Sequence, residues 1–292
     1  MKKILITGAG SYLGGSFERY LQQWPERYHV DTVDMVDGSW REKSFRGYDS
    51  VYHVAGIAHS DHGKLSEAQA QLYYRVNRDL AIETAAKAKQ DGVKQFMFMS
   101  SVIVYGESAP IGHNKVITRD TPVAPYNAYS DSKYQAEQGI LALQDGDFKV
   151  VILRPPMVYG EGCKGHYPML SQIARRLPLF PWIPNRRSML YVGNLMEFLR
   201  LMVENEEQGI FFPQNDEYSN TSELVRIIAK CHGKKVLLVK HCGWALKILS
   251  HMTPLVNKAF GSLCYAREMG KYRQNYNRYS LEESIQKTEG IQ

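Results

Sequence analysis

Two side chains with complementary acid–base chemistry, Tyr129 and Lys133, lie four residues apart, and none of the other tyrosines among the 19 has a lysine at this spacing. On a helix the spacing places both side chains on one face, one turn apart. An ammonium at that distance would lower the pKa of the phenol, which could then accept or return a proton. Alone, such a pair is more typical of a solvated helix surface. The surrounding sequence therefore decides its meaning.

A glycine-rich turn follows the first apolar run and reads Gly8-Ala9-Gly10-Ser11-Tyr12-Leu13-Gly14. Glycines let the backbone approach a pyrophosphate, and the N–H groups at the start of a helix bind its charge. An ordinary strand-to-helix turn would also explain the glycines alone. A second apolar run, however, ends at Asp34, where a ribose-binding carboxylate is expected. Its charge would repel a 2′-phosphate, which favours NAD over NADP, and Asp31 is the weaker candidate for this role.

The elements that would position these residues follow from alternating apolar and amphipathic stretches over the first 150 residues. This alternation predicts an α/β fold with a Rossmann-type doubly wound parallel sheet, whose ligand crevice lies at the carboxyl ends of the strands. The predicted strands are 3–7, 30–34, 50–55, 95–100 and 148–153. The predicted helices are 13–23, 66–90 and 128–143.

The character of the chain changes after Arg154, where prolines and glycines become frequent. We therefore predict an NAD-binding Rossmann domain over residues 1–154. Residues 155–292 are predicted to form mostly a smaller substrate-binding lobe, with some elements that return to the main sheet. In this part the pattern predicts helices at 194–204 and 221–230, a strand at 235–239 and a terminal helix from Ser280.

Composition excludes several classes of protein. Of the 292 residues, 44% are hydrophobic and 23% are charged, as in ordinary globular proteins. The net charge of +6 is spread along the chain, which does not favour a nucleic-acid binder but suits a small anionic substrate. The first apolar run is too short for a signal peptide, and the apolar stretch 244–265 is interrupted by charges and a proline, so no transmembrane segment is expected.

The four cysteines form no Cys-x-x-Cys pair and indicate reduced thiols in a cytoplasmic protein. Cys231-His232 and His241-Cys242 could be drawn as a zinc set. Neither pair has the spacing of zinc ligands, and no metal is therefore expected.

Seven motifs together resemble the extended short-chain dehydrogenase/reductase family, in its nucleotide-sugar epimerase and 4-keto reductase branch, the NAD-dependent epimerase/dehydratase family. The resemblance runs over essentially the whole chain. It rests on the glycine turn, His53-Val54-Ala55-Gly56, Asn77, residues 100–106, Pro125-x-x-x-Tyr129-x-x-Ser132-Lys133, residues 153–160 and residues 185–192. One departure is Ser11, which stands where the family usually has its middle glycine. A serine still has a backbone N–H to present, so dinucleotide binding is expected to persist.

The resemblance implies catalytic roles for Ser101, Tyr129 and Lys133. Tyr129 would act as general base or acid, Lys133 would lower its pKa and bind the nicotinamide ribose, and Ser101 would hydrogen-bond the same sugar oxygen. Cofactor contacts are implied for Gly8, Gly10, Ser11, Tyr12, Leu13, Gly14, Asp34, Val54, Ala55, Gly56, Asn77, Ser100, Tyr129, Lys133 and Pro156. Substrate contacts are implied for Ser101, Val102, Tyr129, Lys164, His166 and Arg187, with Arg187 suited to a diphosphate.

The function predicted from this resemblance is NAD-dependent epimerisation at C4 of a UDP-hexose. The alternative is an NAD(P)H-dependent reductase of a UDP-4-keto-deoxy-(amino)sugar in surface polysaccharide biosynthesis, which would use the same residues. A dehydratase is disfavoured, because Val102 and Ile103 stand where relatives of that kind have an acid pair. A non-catalytic dinucleotide sensor is the less favoured third hypothesis, since both Tyr129 and Lys133 are present. Relatives commonly pair, so a homodimer is expected.

Overall fold

The computed structural model describes residues 1–58, 66–240 and 254–291. The chain divides into two compact units, which do not follow one cut in the sequence. Unit 1 comprises Met1–Gly106, Val123–Pro155 and Met196–Phe212, and unit 2 comprises Glu107–Pro122, Pro156–Leu195 and Pro213–Gln292. The assignment of NAD binding to residues 1–154 and of substrate binding to residues 155–292 stays a prediction, because packing does not identify the ligand that a unit binds.

The strands are short and lie throughout the described chain. They are β1 (Lys2–Thr7), β2 (Tyr28–Val33), β3 (Ser50–His53), β4 (Gln95–Met99), β5 (Val116–Ile117), β6 (Lys149–Leu153), β7 (Met157–Tyr159), β8 (Leu179–Pro181), β9 (Met189–Tyr191), β10 (Gly209–Phe211), β11 (Leu237–Val239) and β12 (Cys264–Tyr265).

The helices alternate with these strands. They are α1 (Tyr12–Leu21), α2 (Glu67–Tyr73), α3 (Leu80–Gln90), α4 (Ala128–Leu141), α5 (His166–Arg176), α6 (Val192–Glu204), α7 (Thr221–Cys231), α8 (Pro254–Phe260) and α9 (Leu281–Thr288). Within the described residues, no helix combines the length and apolarity needed to cross a lipid bilayer.

Unit 1 is built on a parallel sheet in the order β10-β6-β4-β3-β1-β2. The strand order reverses at β1, which has β2 on one side and β3 on the other. Such a switch point is where doubly wound sheets bind ligands. The predicted Rossmann-type fold is confirmed. The strand β10 pairs with β6, so a segment from the second half of the chain extends the main sheet.

The sheet of unit 1 is buried because its strands are apolar on both faces. Ile4, Ile6, Phe96 and Phe98 are all fully buried. Burial of each such side chain contributes about 1.5–3 kcal/mol. The carboxyl ends of the strands are thereby held in fixed positions, and the loops that follow them carry the candidate site.

Several helices begin where the sequence supplies a cap. The side chains of Ser11, Ser66, Asn127, Asn220 and Ser280 each accept a backbone N–H from the first turn of the helix that follows. Such caps satisfy donors that have no partner within the helix and stabilise it by about 1 kcal/mol.

The predicted helix 66–90 is interrupted by a π-helical segment, Tyr74–Asp79, between α2 and α3. Apolar periodicity over a long window does not register such a local widening, which shifts the pattern by a single residue. The segment carries Asn77, which is fully buried. Segments of this kind are frequent at functional sites.

Unit 2 contains three two-stranded parallel pairs, β7 with β9, β8 with β11, and β5 with β12. After Arg154 the sequence predicted β11 and helices α6, α7 and α9, but not the other strands, α5 or α8. Strands of two or three residues are too short for an alternating pattern to be detected. Helix α5 directly follows Gly165, which adopts a φ of 97° and ends the preceding turn.

Candidate active site

The loop after β1 approaches the loop after β3 closely at Gly8. This residue has a φ of +110°, and a Cβ there would lie 2.9 Å from the backbone nitrogen of Ala55. The N–H groups of Val54 and Ala55 both donate to the carbonyl oxygen of Thr7, at 3.1 and 2.9 Å. The Gly8 N–H donates to the carbonyl oxygen of Val33 at 2.9 Å. The ends of β1, β2 and β3 are therefore tied together, and a side chain at Gly8 would disrupt them.

Ser11 caps α1 and takes part in the turn with both its side chain and its backbone. Its Oγ accepts the Gly14 N–H at 3.1 Å, and its own N–H donates to the Gly8 carbonyl oxygen at 3.1 Å. A Cβ at Gly14 would lie 2.6 Å from this Oγ and 3.2 Å from Val54 Cγ1. The N–H of Ser11 is therefore hydrogen-bonded within the turn, and its contact with a pyrophosphate stays a prediction.

The remaining residues of the turn suit an anionic ligand. Gly10 adopts a φ of +75°, which favours glycine. Tyr12 and Leu13 form the first positions of α1, whose N-terminal end carries the positive end of the helix dipole. A phosphate at this end is the standard use of such a turn in dinucleotide-binding folds.

Asp34 is exposed and directly follows β2, and its Oδ1 accepts the Val36 N–H at 2.9 Å. Asp31 lies within the strand, where its carboxylate accepts the Tyr48 hydroxyl at 2.6 Å. The first basic residue after Asp34 in the chain, Arg41, is bonded to the Glu83 carboxylate. Asp34 is thus the carboxylate at the end of β2, and Arg41 is already paired with another group.

Asn77 holds the loop after β3 in place. Its Oδ1 accepts the Ile57 N–H at 2.9 Å, and its Nδ2 donates to the Ile57 carbonyl oxygen at 3.0 Å. A Cβ at Gly56 would lie 2.9 Å from Asn77 Oδ1 and 3.4 Å from Lys133 Nζ. The side chain predicted to contact the cofactor thus braces the backbone at Gly56, beside Lys133.

Helix α4 contains both Tyr129 and Lys133, as the spacing predicts. Asn127 caps it by accepting the Ser130 N–H at 2.8 Å. Lys133 is 7% exposed, and its Nζ donates to the Met99 carbonyl oxygen at 2.9 Å. The capped helix thereby holds the ammonium against the carboxyl end of β4.

Tyr129 meets Ser101, the second residue after β4. The Ser101 hydroxyl is hydrogen-bonded to the phenol. The Tyr73 ring packs edge-on against the Tyr129 ring, with 5.8 Å between the centroids. Burial raises the pKa of Tyr129 to about 12, and the bond from Ser101 opposes that rise. Desolvation is thus the dominant effect on the phenol in the geometry described, and the lowering of its pKa by Lys133 stays a prediction.

Burial also acts on Lys133, in the opposite direction for a cation. It lowers the pKa of Lys133 to about 8, and the negative charge of Glu137 opposes the effect. Nζ also lies 4.7 Å from the centroid of the Phe98 ring, at a distance suited to a cation–π contact. The ammonium is therefore largely charged at neutral pH and loses its proton only slightly above it.

Glu137 lies one further turn along α4 and is fully buried. Its Oε2 lies 2.5 Å from Nη2 of Arg154, and Arg154 Nε lies 3.1 Å from both carboxylate oxygens. The Ser100 hydroxyl donates to the same carboxylate, and Arg154 Nη1 donates to the Tyr105 hydroxyl at 2.7 Å. The hydroxyl of Ser100, predicted to contact the cofactor, is therefore bonded to Glu137.

Three consecutive residues at the end of β4 thus contact three successive turns of α4. Ser101 contacts Tyr129, Met99 contacts Lys133 and Ser100 contacts Glu137. Glu137 and Arg154 were not identified as supporting residues from the sequence. The signal was present, because Glu137 continues the four-residue spacing from Tyr129 through Lys133. The arrangement presents a phenol and a hydroxyl to one ligand atom, with an ammonium behind them.

The remaining residues predicted to touch ligands lie in different surroundings. Val102 is partly buried and donates its N–H to the Pro155 carbonyl oxygen at 2.9 Å. In unit 2, Pro156 is buried and precedes β7, Lys164 is exposed before α5, and His166 begins that helix. Lys164 and His166 are therefore neighbours at one helix start.

Arg187 lies in a different segment of unit 2 and is partly buried. Its Nη1 lies 3.4 Å from the carbonyl oxygens of Ala259 and Gly261. Burial lowers the pKa of Arg187 from the ordinary arginine value. Part of the guanidinium is thus engaged by backbone carbonyls, which fixes its orientation.

Of the two pairs considered as zinc ligands, Cys231-His232 lies within the described residues and His241-Cys242 does not. In the described half, His232 Nε2 is bonded to Glu289 at 2.7 Å. Among the residues that the structure does describe, no group of three or more His, Cys, Asp or Glu side chains could hold a metal ion.

The residues of unit 1 fit a dinucleotide. The backbone passes so close at Gly8 and Gly14 that a Cβ would collide with a neighbour at 2.9 and 2.6 Å. A carboxylate stands at the end of β2, and Gly56 leaves room beside the Lys133 ammonium. These are the features that pyrophosphate and ribose binding require.

Comparison with known proteins agrees with this geometry. A family model described as the NAD dependent epimerase/dehydratase family matches residues 4–212. UDP-glucose 4-epimerase of Vibrio cholerae is 27% identical over 286 residues, which cover 90% of this chain and 86% of that protein. The N-acetyl-alpha-D-glucosaminyl-diphospho-ditrans,octacis-undecaprenol 4-epimerase of Escherichia coli O157:H7 is 30% identical over 210 residues, which cover 70% of this chain and 60% of that protein.

Solved structures share the fold over the whole chain. UDP-glucuronic acid 4-epimerase from Bacillus cereus, in complex with NAD, superposes with a TM-score of 0.73 at 16% identity and covers 99% of this chain and 97% of that one. A dTDP-4-dehydrorhamnose reductase from Clostridium acetobutylicum has a TM-score of 0.74 at 18% identity, with 98% of each chain covered. The family match spans well over half of the sequence, and the chain therefore belongs to the NAD dependent epimerase/dehydratase family, as an enzyme whose cofactor is NAD.

Proposed function

We propose that the protein catalyses NAD-dependent epimerisation at C4 of a UDP-hexose of the UDP-glucose/UDP-galactose type. The proposal rests on the hydrogen bond between the Ser101 hydroxyl and the Tyr129 phenol. Lys133 lies one turn after Tyr129 on the same helix. Two hydrogen-bonding groups can thus hold one sugar hydroxyl, and a lysine lies one turn along the helix that carries the phenol. Proton transfer at a secondary alcohol needs these groups.

The chain's own residues would move and stabilise the proton. Tyr129 would take the proton of the 4-hydroxyl while Ser101 holds the same oxygen, and Tyr129 would return the proton after the sugar has turned over. A phenol with a pKa of about 12 needs a nearby positive charge to act as a base near neutrality, and Lys133 supplies one. Bound NAD would supply the acceptor and later the donor of the hydride at C4.

The cofactor would be held by the residues at the ends of β1, β2 and β3. We assign the pyrophosphate to the glycine turn and the start of α1, and the adenosine ribose to Asp34. Lys133 would bind the nicotinamide ribose, with Gly56 beside it. Asn77 would act through the backbone that it holds at Ile57.

We assign substrate contacts in unit 2 to three residues and in unit 1 to Val102. We assign the diphosphate to Arg187, because a guanidinium matches phosphate oxygens and this one is already oriented by two carbonyls. Lys164 is exposed at the start of α5 and is assigned as a second cation. His166 is assigned to the sugar.

The relatives support a 4-epimerase in particular. The relative from Vibrio cholerae, which this chain matches over 86% of its length, is a UDP-glucose 4-epimerase. The relative from Escherichia coli O157:H7 is also a 4-epimerase, of a sugar carried on a diphospho-undecaprenol. The alternative, a reductase of a UDP-4-keto-deoxy-(amino)sugar, would use the same Ser101, Tyr129 and Lys133.

Cofactor turnover separates the two reactions. The purified enzyme is incubated with UDP-galactose, without added NAD, and the nucleotide sugars are identified by mass spectrometry and NMR. An epimerase forms UDP-glucose and leaves added NADH unconsumed. If UDP-galactose stays unchanged while a 4-keto sugar nucleotide consumes NADH stoichiometrically, the enzyme is the reductase and the epimerase proposal is wrong.

Two further expectations are part of the same proposal. Relatives of this kind commonly pair, so we propose a homodimer, which sedimentation equilibrium tests directly. We also propose a cytoplasmic location, because the absence of Cys-x-x-Cys pairs in the sequence indicates reduced thiols.

A further inference from the structure

One face of the small sheet formed by β8 and β11 is apolar and exposed. In the parallel register Leu179 lies opposite Leu237, and Pro181 lies opposite Val239. Leu179 is 53% exposed, Leu237 65% and Val239 38%, and Leu177, which precedes β8, is 49% exposed. We call Leu177, Leu179, Leu237 and Val239 the β8–β11 face.

The orientation of this face is set by buried residues beside its members. Phe180 is 7% exposed and directly follows Leu179, and Val236 is 8% exposed and directly precedes Leu237. The Phe180 ring packs against the Phe260 ring, with 5.7 Å between the centroids. Turning the face inward would expose these core residues, so the exposure is a property of the packed unit.

Cations flank the β8–β11 face. The two segments that form it, residues 175–182 and 234–240, contain five basic and no acidic residues, namely Arg175, Arg176, Lys234, Lys235 and Lys240. All five are exposed. Lys234 donates to the Arg175 carbonyl oxygen, which brings the basic ends of the two segments together. Over the described parts of the chain, none of the five takes part in an ion pair.

We propose that the β8–β11 face docks on an anionic membrane surface, so that the enzyme is a peripheral membrane protein. Exposed leucines framed by cations match a bilayer interface, where apolar groups enter the acyl boundary and basic groups meet anionic headgroups. The β8–β11 face includes none of residues 241–253, which lie outside the described part of the chain. The inference does not depend on the substrate proposed above.

Charge favours a membrane over a second copy of the chain as the occupant. A two-fold contact through this face would bring the same patch from both copies together and place five cations against five. Like charges at such an interface oppose association. Anionic lipids reverse this effect, because each lysine or arginine near the surface then strengthens binding roughly fivefold.

Vesicle sedimentation of the full-length enzyme tests the proposal. The enzyme should sediment with vesicles of phosphatidylcholine mixed with phosphatidylglycerol, but not with phosphatidylcholine alone. The double variant Leu179→Ser/Leu237→Ser should weaken binding about tenfold or more. The double variant Lys235→Glu/Lys240→Glu should weaken it by at least the roughly twenty-five-fold expected for two lost cations.

Matched controls separate binding through the β8–β11 face from the effect of removing any exposed cation or apolar side chain. Val116→Ser removes another exposed apolar side chain of unit 2, which is 43% exposed, and Lys271→Glu removes an exposed cation elsewhere in that unit. Both should bind vesicles as the parent does. All variants change exposed residues, and their thermal unfolding confirms that they remain folded.

Three results would overturn the proposal. One is a failure of the parent enzyme to sediment with anionic vesicles. Another is vesicle binding that is equally strong in the parent and in both variants of the face. The third is a dimer that dissociates in Leu179→Ser/Leu237→Ser and shows no vesicle binding, since the face would then bind a second copy. Epimerase activity on a soluble nucleotide sugar is measured separately, so that loss of docking and loss of the proposed function are distinguishable.

Discussion

Charged and apolar side chains are distributed in opposite ways at the end of β4 and at strands β8 and β11. At the end of β4 in unit 1, the charged side chains of Lys133, Glu137 and Arg154 are buried. Lys133 donates to the Met99 carbonyl oxygen, and Arg154 pairs with the Glu137 carboxylate. At β8 and β11 in unit 2, leucines are exposed and the cations beside them point to solvent. The first region buries charged side chains among apolar ones, and the second exposes apolar side chains to solvent.

The difference shows where rigidity is needed. A buried charge is tolerated only when its partners satisfy it, and a network satisfied in this way fixes the relative positions of its members. Tyr129 lies on the same helix as Glu137, and Ser101 directly follows Ser100, so the network holds the two segments that carry them. An exposed apolar face requires no internal partner, and it remains open to a partner from outside.

The largest expected effect is the loss of the phenol. Tyr129→Phe should lower kcat by about 10²–10⁴-fold, because general acid–base catalysis contributes in that range. NAD affinity, measured by calorimetry, should stay within about twofold, since the ring and its packing on Tyr73 remain. Tyr134→Phe, on the same helix, is the matched control and should keep full activity. A Tyr129→Phe enzyme with parent activity would show that the phenol does not transfer the proton.

The buried ion pair should dominate stability. Glu137→Ala leaves Arg154 buried without its carboxylate and should lower the free energy of unfolding by about 3–5 kcal/mol. Glu282→Ala breaks the exposed pair between Lys230 and Glu282 and should leave the stability nearly unchanged. Chemical denaturation measures both. Equal effects for the two variants would show that burial does not distinguish the pairs.

A smaller effect is expected at the cofactor turn. Gly8→Ala places a Cβ 2.9 Å from the Ala55 nitrogen at a φ of +110°, and should weaken NAD binding about tenfold. Gly92→Ala has a comparable φ of +81° but meets nothing within 4 Å, so it should leave NAD affinity unchanged. If both variants bind NAD like the parent, the close approach at Gly8 has no role in binding.

The sequence predicted those parts of the fold that repeat or lie close together in the chain. Five of the six strands in the main sheet of unit 1 were found, because runs of apolar residues on both faces are typical of parallel sheets, whereas β10 was not predicted. The pair Tyr129 and Lys133 was found because one helical turn is a local spacing. Asp34 was found from its position at the end of an apolar run. Its contact with the cofactor stays a prediction.

Other features depend on which strands become neighbours, and that is not local. Glu137 and Arg154 meet because α4 packs on the end of β6, so their partnership required the fold. The hydrogen bond from the Ser11 N–H to the Gly8 carbonyl oxygen depends on the geometry of the turn, which the sequence alone does not give. The π-helical segment that carries Asn77 shifts the helix by one residue, and a periodic pattern does not resolve such a shift.

The charge of Lys133 changes with pH, so the pH dependence of the reaction can test the role of this residue in the mechanism. The charged groups that face it are Glu137 on its own helix and, through Glu137, Arg154. His53 lies near it on β3, and burial and the Lys133 charge lower the pKa of His53 to about 3, so it stays neutral across this range. Because burial lowers the pKa of Lys133 to about 8, its ammonium is present below that pH and lost above it.

The pH dependence of kcat/KM in the parent and in Lys133→Arg tests the central claim most directly. If the buried ammonium behind Tyr129 supports proton transfer, kcat/KM of the parent falls above a pH of about 8. In Lys133→Arg the charge persists, so this fall should disappear even if the overall rate is lower. A parent profile that stays level through this range, or an identical fall in Lys133→Arg, would contradict the account.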